Sequence, residues 1–181
     1  MYTIEDYYAI PDERRVELID GVFYDMASPS FAHQVIIMSI ANTIQNYIKK
    51  KKGRCKVLTA AVDVQLDCDN KTMVQPDIVV LCDKKKNVER CIMGAPDFVA
   101  EVLSKSTRKK DMTIKLEKYR NAGVREYWMI DMKNETVIVH EFEKGNMPVI
   151  FGFDSKVPVG IFQGDLEIDF ADVRADLEWD N

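Results

Sequence analysis

Apolar side chains recur every three or four residues between positions 30 and 52 of the chain. They are Ile37, Ile40, Ala41, Ile44, Tyr47 and Ile48. This spacing is typical of an amphipathic helix with one buried face. Ser28-Pro29-Ser30 precedes the pattern as a helix start, and Gly53 follows it as a stop. The pattern therefore predicts a long helix that ends near Lys52.

Two smaller elements are predicted before this helix. Thr3 can cap a short helix that runs through Tyr8, because its side chain can accept a hydrogen bond from the first turn. The segment VELIDGVFYDMA is typical of a β-hairpin that turns at Asp20-Gly21, since Asp-Gly favours tight hairpin turns. Together they predict a helix and hairpin extension over about residues 3–27.

Apolar runs after the long helix predict the strands of a sheet. They cover about residues 56–66, 73–82, 97–103, 125–131 and 136–142. Polar segments at 67–71 and 83–90 predict a turn and a loop, and a second helix is predicted over about 110–122, ending at Gly123. The order helix, three strands, helix, strand, strand predicts an α/β fold with a mixed sheet flanked by helices. Glycines and prolines beyond Gly145 predict short edge strands.

Composition places the chain among ordinary globular proteins. Its 181 residues are 46% apolar and 30% charged, so one domain over residues 1–181 is expected. The chain has no bilayer-spanning apolar run and no signal-peptide pattern, so a cytoplasmic protein without a membrane partner is expected. The four cysteines form no CxxC pair and have no histidine nearby in sequence. Structural zinc is therefore disfavoured, and reduced thiols are expected.

Charge is unevenly distributed along the chain. The formal net charge is −5, yet residues 49–56 carry six positive charges and residues 104–120 carry seven basic side chains. Seven acids lie between residues 163 and 181. The two basic segments are equally compatible with solvated surface and with phosphate contacts, so charge alone leaves nucleic-acid binding open.

Three charged residues differ from the rest because apolar sequence surrounds them. Asp77 precedes the run IVVLC, and Glu101 lies in DFVAEVLS. Charged side chains in buried strands need partners, and neighbouring strands lie about 5 Å apart, so two carboxylates on one face can share a cation. Lys115 shares a helical stripe with Tyr119, so it either points at these acids or extends toward solvent. Its other candidate partners are Asp111, four residues before it, and Asp131.

Five motifs, in order along the chain, resemble those of one protein family. They are ELIDG (17–21), SPSFAH (28–33), QPDIVV (75–80), FVAEVLSKSTRKKD (98–111) and KLEKYRNAGVREYWMID (115–131). Over about residues 3–142 the chain resembles the Uma2 family, also named DUF820, of the restriction-endonuclease-like PD-(D/E)xK superfamily. The resemblance implies a restriction-endonuclease-like core over about residues 30–142, preceded by the hairpin extension and followed by short strands over 145–181.

The resemblance also implies the roles of individual residues. The implied residues are the metal ligands Asp77 and Glu101, the Val102 carbonyl as a third ligand, and the catalytic Lys115. The wider superfamily carries its lysine two residues after the glutamate, where this chain has Leu103. Glu17 and His33 match two further motif positions and are implied to support the site as a ligand, as a partner of a ligand, or by packing the hairpin.

These residues and the resemblance predict Mg²⁺-assisted hydrolysis of phosphodiester bonds in nucleic acid, with DNA as the expected substrate and Mn²⁺ as a substitute ion. The lysine would offset charge that develops on the phosphoryl oxygens. Basic side chains after the second acid would contact backbone phosphates; they are Lys105, Arg108, Lys109 and Lys110. Analogy with superfamily nucleases makes a homodimer a further expectation.

Two other functional classes compete with this prediction. One is a nuclease-fold protein without catalysis that binds nucleic acid or a protein partner, which the moved lysine and the acidic net charge favour. The other is a glycoside hydrolase, which also uses paired carboxylates, but no cluster of aromatic residues lies near Asp77 or Glu101 in sequence. A Cys–His nucleophile is disfavoured, because His33 and His140 have no cysteine nearby in sequence.

Overall fold

The computed structural model of the chain describes residues 1–11, 13–66, 69–145 and 147–178. Its strands are β1 (Val16–Ile19), β2 (Val22–Asp25), β3 (Lys56–Thr59), β4 (Val64–Gln65), β5 (Ile78–Leu81), β6 (Ile92–Met93), β7 (Phe98–Val102), β8 (Glu126–Asp131), β9 (Thr136–Glu141), β10 (Val149–Gly152), β11 (Lys156–Pro158) and β12 (Glu167–Asp169). Its α-helices are α1 (Ile4–Tyr8), α2 (Phe31–Lys50), α3 (Arg108–Lys110), α4 (Leu116–Ala122) and α5 (Phe170–Ala175). A π-helical turn over Asp111–Lys115 joins α3 to α4, and 3₁₀ turns cover Lys84–Lys86 and Gly160–Phe162.

A six-stranded mixed sheet in the order β10-β9-β8-β7-β5-β3 lies at the centre of the fold. β5 is antiparallel to both β3 and β7, whereas β7 and β8 are parallel. Parallel neighbours need a crossover connection, and the continuous helical run over residues 108–122 supplies it. β8, β9 and β10 follow as antiparallel neighbours. The predicted α/β architecture, a mixed sheet flanked by helices, is confirmed.

Apolar side chains cover both faces of this sheet, because successive residues of a strand point to opposite sides. On one face, Ile78 and Val80 belong to the same core cluster as Ile40 of α2. On the other face, Val79 clusters with Tyr119 of α4. The continuous apolar runs in the sequence follow from this burial on both faces.

The elements at the start of the chain agree with their sequence signals. Thr3 caps α1 and exchanges hydrogen bonds with Asp6. The hairpin β1–β2 turns at Asp20 and Gly21, whose φ angles are 50° and 75°. Such left-handed angles are what Asp-Gly tolerates in a tight hairpin turn. Ser30 caps α2, as the sequence predicts.

Two predicted strands are shorter in the structure. The strand predicted over 56–66 breaks after β3 and resumes as β4, with a cis peptide between Ala60 and Ala61. The strand predicted over 73–82 is regular only in β5, while Met73 and Val74 form single bridges. Asp77 therefore directly precedes β5 and does not lie in mid-strand. Pro76 explains this, since it has no N–H to donate to a ladder.

The second helix and the C-terminal part also differ from prediction. The helical run begins at residue 108 and contains the π turn, although it ends at Gly123 as predicted. The loop predicted over 83–90 contains a 3₁₀ turn, and β6 and α5 were not predicted. The turn predicted over 67–71 falls partly outside the described residues, which omit 67 and 68.

A disulfide joins Cys55 and Cys82, so the expectation that the cysteines are reduced thiols is wrong for this pair. The register of β3 and β5 explains the bond: Lys56 pairs with Leu81, and each cysteine lies one residue beyond that pair. Cys91 is a buried free thiol. Among the described residues, no helix combines the length and apolar character needed to cross a membrane.

The packing of α2 on the sheet predicts different outcomes for two substitutions on the same helix. Ile40→Ala should destabilise the protein by about 2–5 kcal/mol, because Ile40 is fully buried and its truncation leaves a cavity. Met38→Ala is the matched control, since Met38 is 50% exposed. Urea unfolding followed by circular dichroism measures both. Equal losses for the two variants would contradict this assignment of the buried face.

Candidate active site

A cleft of about 680 Å³ lies where β5 and β7 meet the hairpin, the start of α2 and the helical run 108–122. The residues predicted for catalysis, metal binding and support all line it: Asp77, Glu101, Val102, Lys115, Glu17 and His33. Lys105 and Lys110 line it too. Arg108 and Lys109 are absent from the described lining of the cleft. The fold thus brings together groups that are up to 98 residues apart in sequence.

Strand pairing places Asp77 and Glu101 opposite each other. Ile78 pairs with Ala100 in the antiparallel ladder of β5 and β7, and extending this register by one residue sets Asp77 across from Glu101. Directly opposed residues of antiparallel strands share one face, with Cα atoms about 4.5–5.5 Å apart. Both carboxylates therefore lie on the face that the helical run covers.

Two donors orient the Asp77 carboxylate. Its Oδ2 accepts a hydrogen bond of 2.8 Å from the backbone N–H of Val102. The same oxygen lies 2.8 Å from Nε2 of His33, in the first turn of α2. Among the described residues, no donor is hydrogen-bonded to Oδ1 of Asp77. One oxygen is thus held by the protein, and the other is left for a ligand in the cleft.

Lys115 is buried among acids, with only 2% of its surface exposed. Its ammonium donates to Oε1 of Glu17 at 2.8 Å and pairs with Oε1 of Glu101. Oδ1 of Asp111 lies 3.9 Å away. Lys115 therefore contacts both Glu101, the predicted acid, and Asp111, its neighbour on the helical run. Asp131 pairs with Arg108 instead.

Glu17 links the hairpin to the helical run. It is 1% exposed, and its two oxygens pair with different lysines, Oε1 with Lys115 and Oε2 with Lys110. The backbone N–H of Gln75 also donates to Oε1 at 3.0 Å. These contacts make Glu17 a positioning residue that holds the ammonium of Lys115 beside Glu101.

The π turn brings both lysines to the same carboxylate. Residues five apart lie about 140° apart around an α-helix, so Lys110 and Lys115 would face different directions in a regular helix. A π turn closes i→i+5 hydrogen bonds and so places residues five apart on nearly the same side. The turn over Asp111–Lys115 therefore directs both ammonium groups at Glu17.

Sequence reasoning assigned Tyr119 to the apolar stripe but gave it no role in the site. Its hydroxyl donates to Oε1 of Glu101 at 2.7 Å, and the residue is fully buried. Its position four residues after Lys115 is the signal that could have identified it, since such residues share a helix face. Glu101 is thus held by one lysine and one tyrosine.

The buried groups carry more negative than positive charge. The less exposed groups of the cleft are four carboxylates (Glu17, Asp77, Glu101 and Asp111) and two ammonium groups (Lys110 and Lys115), an excess of two negative charges when all are ionised. Arg15 and Lys105 also line the cleft but are exposed to solvent. Opposing lysines can satisfy only some of the acids, so the pKa values of the carboxyl groups diverge.

Glu17 and Glu101 show this divergence directly. Burial would raise the pKa of Glu17, but the ammonium groups of Lys115 and Lys110 outweigh it and lower that pKa to about 2. Burial and the neighbouring Asp77 and Asp111 raise the pKa of Glu101 to about 8, despite the attraction of Lys115. Glu101 is therefore the carboxyl group that takes up a proton when no cation offsets the excess negative charge.

The residues present fit a divalent cation. Mg²⁺ is commonly held by one or two carboxylates and keeps several water molecules. Asp77, Glu101 and the Val102 carbonyl offer that kind of oxygen set, and a cation would offset the excess negative charge. Within the described residues, no group of three or more His, Cys, Asp or Glu side chains is arranged as a metal site. The fit therefore rests on two carboxylates and one carbonyl.

The basic residues after Glu101 have different environments. Lys105 is exposed at the cleft, and Lys109 is exposed on the helical run. Arg108 pairs with Asp131 at the end of β8. Lys110 turns inward to Glu17, with 12% of its side chain exposed. Within the part of the chain that the structure describes, Lys105 and Lys109 are thus the unpaired, exposed members of this group, whereas Arg108 is paired and keeps 39% of its side chain exposed.

The fold and these contacts define the class of the protein. A mixed sheet with opposed acids on two paired strands, and a lysine contacting one of them, is the arrangement expected of the restriction-endonuclease-like class. The chain belongs to the Uma2 family, described as "Putative restriction endonuclease", whose model matches residues 4–170. The family resemblance seen in the sequence motifs is confirmed.

A solved structure agrees with this assignment. It comes from Anabaena variabilis ATCC 29413 and is described as "a putative nuclease belonging to DUF820". It superposes with a TM-score of 0.82 at 20% identity, covering 98% of this chain and 100% of its own. At that identity the likeness establishes the shared fold. Among curated proteins, none matches the chain.

The raised pKa of Glu101 predicts a pH dependence of stability in the absence of metal. The folded protein keeps a proton on Glu101 up to about pH 8, whereas the ordinary pKa of 4.5 applies in the unfolded chain. Stability from this group should therefore fall as pH rises from about 5 to 8, by up to about 1.4 kcal/mol per pH unit. Urea unfolding in EDTA across this range measures it.

Glu101→Gln is the control for this pH dependence. The variant cannot titrate at this position, so subtracting its curve from that of the wild type removes the contributions of all other groups. A difference curve that is flat between pH 5 and 8 would show that Glu101 titrates normally.

Proposed function

We propose that this chain is a metal-dependent endonuclease that hydrolyses phosphodiester bonds of DNA, with Mg²⁺ as cofactor and Mn²⁺ as a substitute. One observation carries the proposal. The opposed carboxylates of Asp77, which is half-buried, and Glu101, which is buried, belong to a cluster with excess negative charge, and Glu101 is in contact with Lys115. A cation would offset that excess, and the lysine would then face a bound phosphate.

The acids of the site would bind and orient the cation. The free oxygens of Asp77 and Glu101, with the Val102 carbonyl, would hold it at the end of β5 and β7. His33 and the Val102 N–H keep Asp77 in one orientation, and Tyr119 does the same for Glu101. The bound cation would polarise a phosphate oxygen and lower the pKa of a coordinated water.

Lys115 would stabilise charge on the reacting phosphate. Burial opposes its ionisation, but Glu101 and Glu17 outweigh burial and raise its pKa well above the ordinary value. The ammonium is therefore charged at neutral pH. Its place beside Glu101 lets it offset negative charge that develops on the phosphoryl oxygens. Lys105 and Lys109 would contact neighbouring backbone phosphates.

A nuclease-fold protein that binds nucleic acid without cutting it is the second candidate. The observation that favours it is the pairing of Lys115 with two carboxylates, since these already offset its charge before any phosphate arrives. Under this alternative the protein would bind oligonucleotides but would neither take up Mn²⁺ nor cleave.

Substitution of Asp77 tests the proposal. The purified protein is incubated with plasmid DNA in Mg²⁺, in Mn²⁺ and in EDTA, and nicking is followed on gels. Wild-type cleavage should require the cation, and Asp77→Asn should reduce it by about 100-fold or more, because one charged ligand is lost. Calorimetry should show Mn²⁺ binding to the wild type and weaker binding to the variant.

The matched control for this experiment is Asp154→Asn. It removes one carboxylate from an exposed position away from the cleft and should cleave like the wild type. Cleavage by Asp77→Asn at the wild-type rate would overturn the assigned site. Absence of Mn²⁺ binding by a folded wild-type protein would favour the non-catalytic alternative.

A further inference from the structure

A second cavity of about 260 Å³ adjoins the cleft on the side of the hairpin. We call it the arginine pocket, and its polar lining includes Arg14, Arg15, Arg90, Tyr8, Asp63 and Gln75. Among the described lining residues, three guanidinium groups stand against a single carboxylate. None of these arginines has a part in the function proposed above, so the pocket needs its own explanation.

Hydrogen bonds already occupy the one carboxylate of the arginine pocket. Oδ1 of Asp63 accepts from the hydroxyl of Tyr7 at 2.8 Å and from Nε2 of Gln75 at 2.9 Å. Gln75 Nε2 also donates to the Tyr7 hydroxyl at 3.0 Å. This network fixes the carboxylate at the floor of the pocket but leaves its negative charge in place. Because Arg14 is paired with Asp25, Arg15 and Arg90 exceed the charge of Asp63 by one positive charge, and this balance favours an anion.

Contacts to uncharged groups position two of the arginines. Nη2 of Arg15 donates to Oε1 of Gln75 at 3.3 Å. The guanidinium of Arg90 lies 3.5 Å from the ring centroid of Tyr8, a stacked arrangement that leaves its N–H groups available at the edge. Arg14 is paired with Asp25 at an exposed position, where such pairs are weak. Arg15 and Arg90 therefore carry most of the available positive charge.

The arginine pocket and the cleft share residues. Arg15 and Gln75 line both cavities. Gln75 precedes Asp77 by two residues, a distance of about 6.5 Å along an extended chain. Its backbone N–H also donates to Glu17, which holds Lys115. If a nucleic-acid strand binds with one phosphate at Asp77 and Lys115, a neighbouring phosphate of that strand would therefore lie near the arginine pocket.

We propose that the arginine pocket binds a backbone phosphate of the substrate strand, adjacent to the phosphate that is cleaved. Guanidinium groups recognise phosphate through paired, charge-assisted hydrogen bonds, and Arg15 and Arg90 line this small pocket together. This inference rests on the proposed function, because it assigns a further contact to the same substrate. Tight substrate binding would then depend on a phosphate next to the cleaved one, and a small phosphodiester has no such phosphate.

Paired substitutions test the arginine pocket. The variant Arg15→Gln/Arg90→Gln is compared with Lys84→Gln/Lys85→Gln, which removes the same charge from an exposed segment outside both cavities. Binding of a labelled single-stranded oligonucleotide is measured by anisotropy in EDTA at several salt concentrations. The pocket variant should bind roughly tenfold or more weakly, as expected for lost charge-assisted hydrogen bonds. Its salt slope should fall by about 0.7, the value for one phosphate contact.

Cleavage of two substrates separates this inference from the proposed function. The pocket variant should cleave the oligonucleotide with a lower kcat/KM but should hydrolyse bis(p-nitrophenyl) phosphate like the wild type, since that diester has no flanking phosphate. Equal oligonucleotide binding by the pocket variant and its control would overturn the inference alone. A wild type that hydrolyses neither substrate would overturn the proposed function, and weaker oligonucleotide binding by the pocket variant than by its control would still leave the pocket as a phosphate contact. A wild type that does not bind the oligonucleotide would overturn the inference.

Discussion

The buried contact of Lys115 with Glu17 and Glu101 is the interaction on which the rest of the cleft depends. It joins the hairpin, the helical run and β7, three elements that the chain forms at widely separated points. Burying such charges costs several kcal/mol per ion, and removing one partner typically costs about 3–5 kcal/mol. Replacing a buried ion pair by well-packed apolar residues is often neutral or stabilising, so chemistry explains this cluster better than stability does.

An incomplete balance of charge gives the cleft its chemical character. Lys110 and Lys115 both contact Glu17, and together they lower the pKa of its carboxyl group to about 2. Burial and the neighbouring carboxylates raise the pKa of Glu101 to about 8, so it holds its proton at neutral pH in the absence of a cation. The two lysines leave part of the negative charge of the acids unpaired. A bound divalent ion would offset this remaining charge.

The parts of the site that the sequence predicted are those marked by charge within apolar runs. Asp77, Glu101 and Lys115 could be identified because their neighbours indicate burial. The π turn could not, since the spacing of apolar residues does not reveal a local change in helical hydrogen bonding. The Cys55–Cys82 bond depends on the register of two strands, which sequence spacing leaves undetermined. The arginine pocket gathers residues from four distant segments, so no local pattern indicates it.

Leu103 directly follows β7, at the position where the wider superfamily carries its lysine, and here it packs in the core with Val99 and Tyr127. The ammonium group of the site is therefore not supplied from β7. The reach of the ammonium toward a substrate is set by the depth and rotation of the helix that bears it. Small rigid shifts of that helix would retune the lysine's approach while leaving the pairing of every central strand untouched.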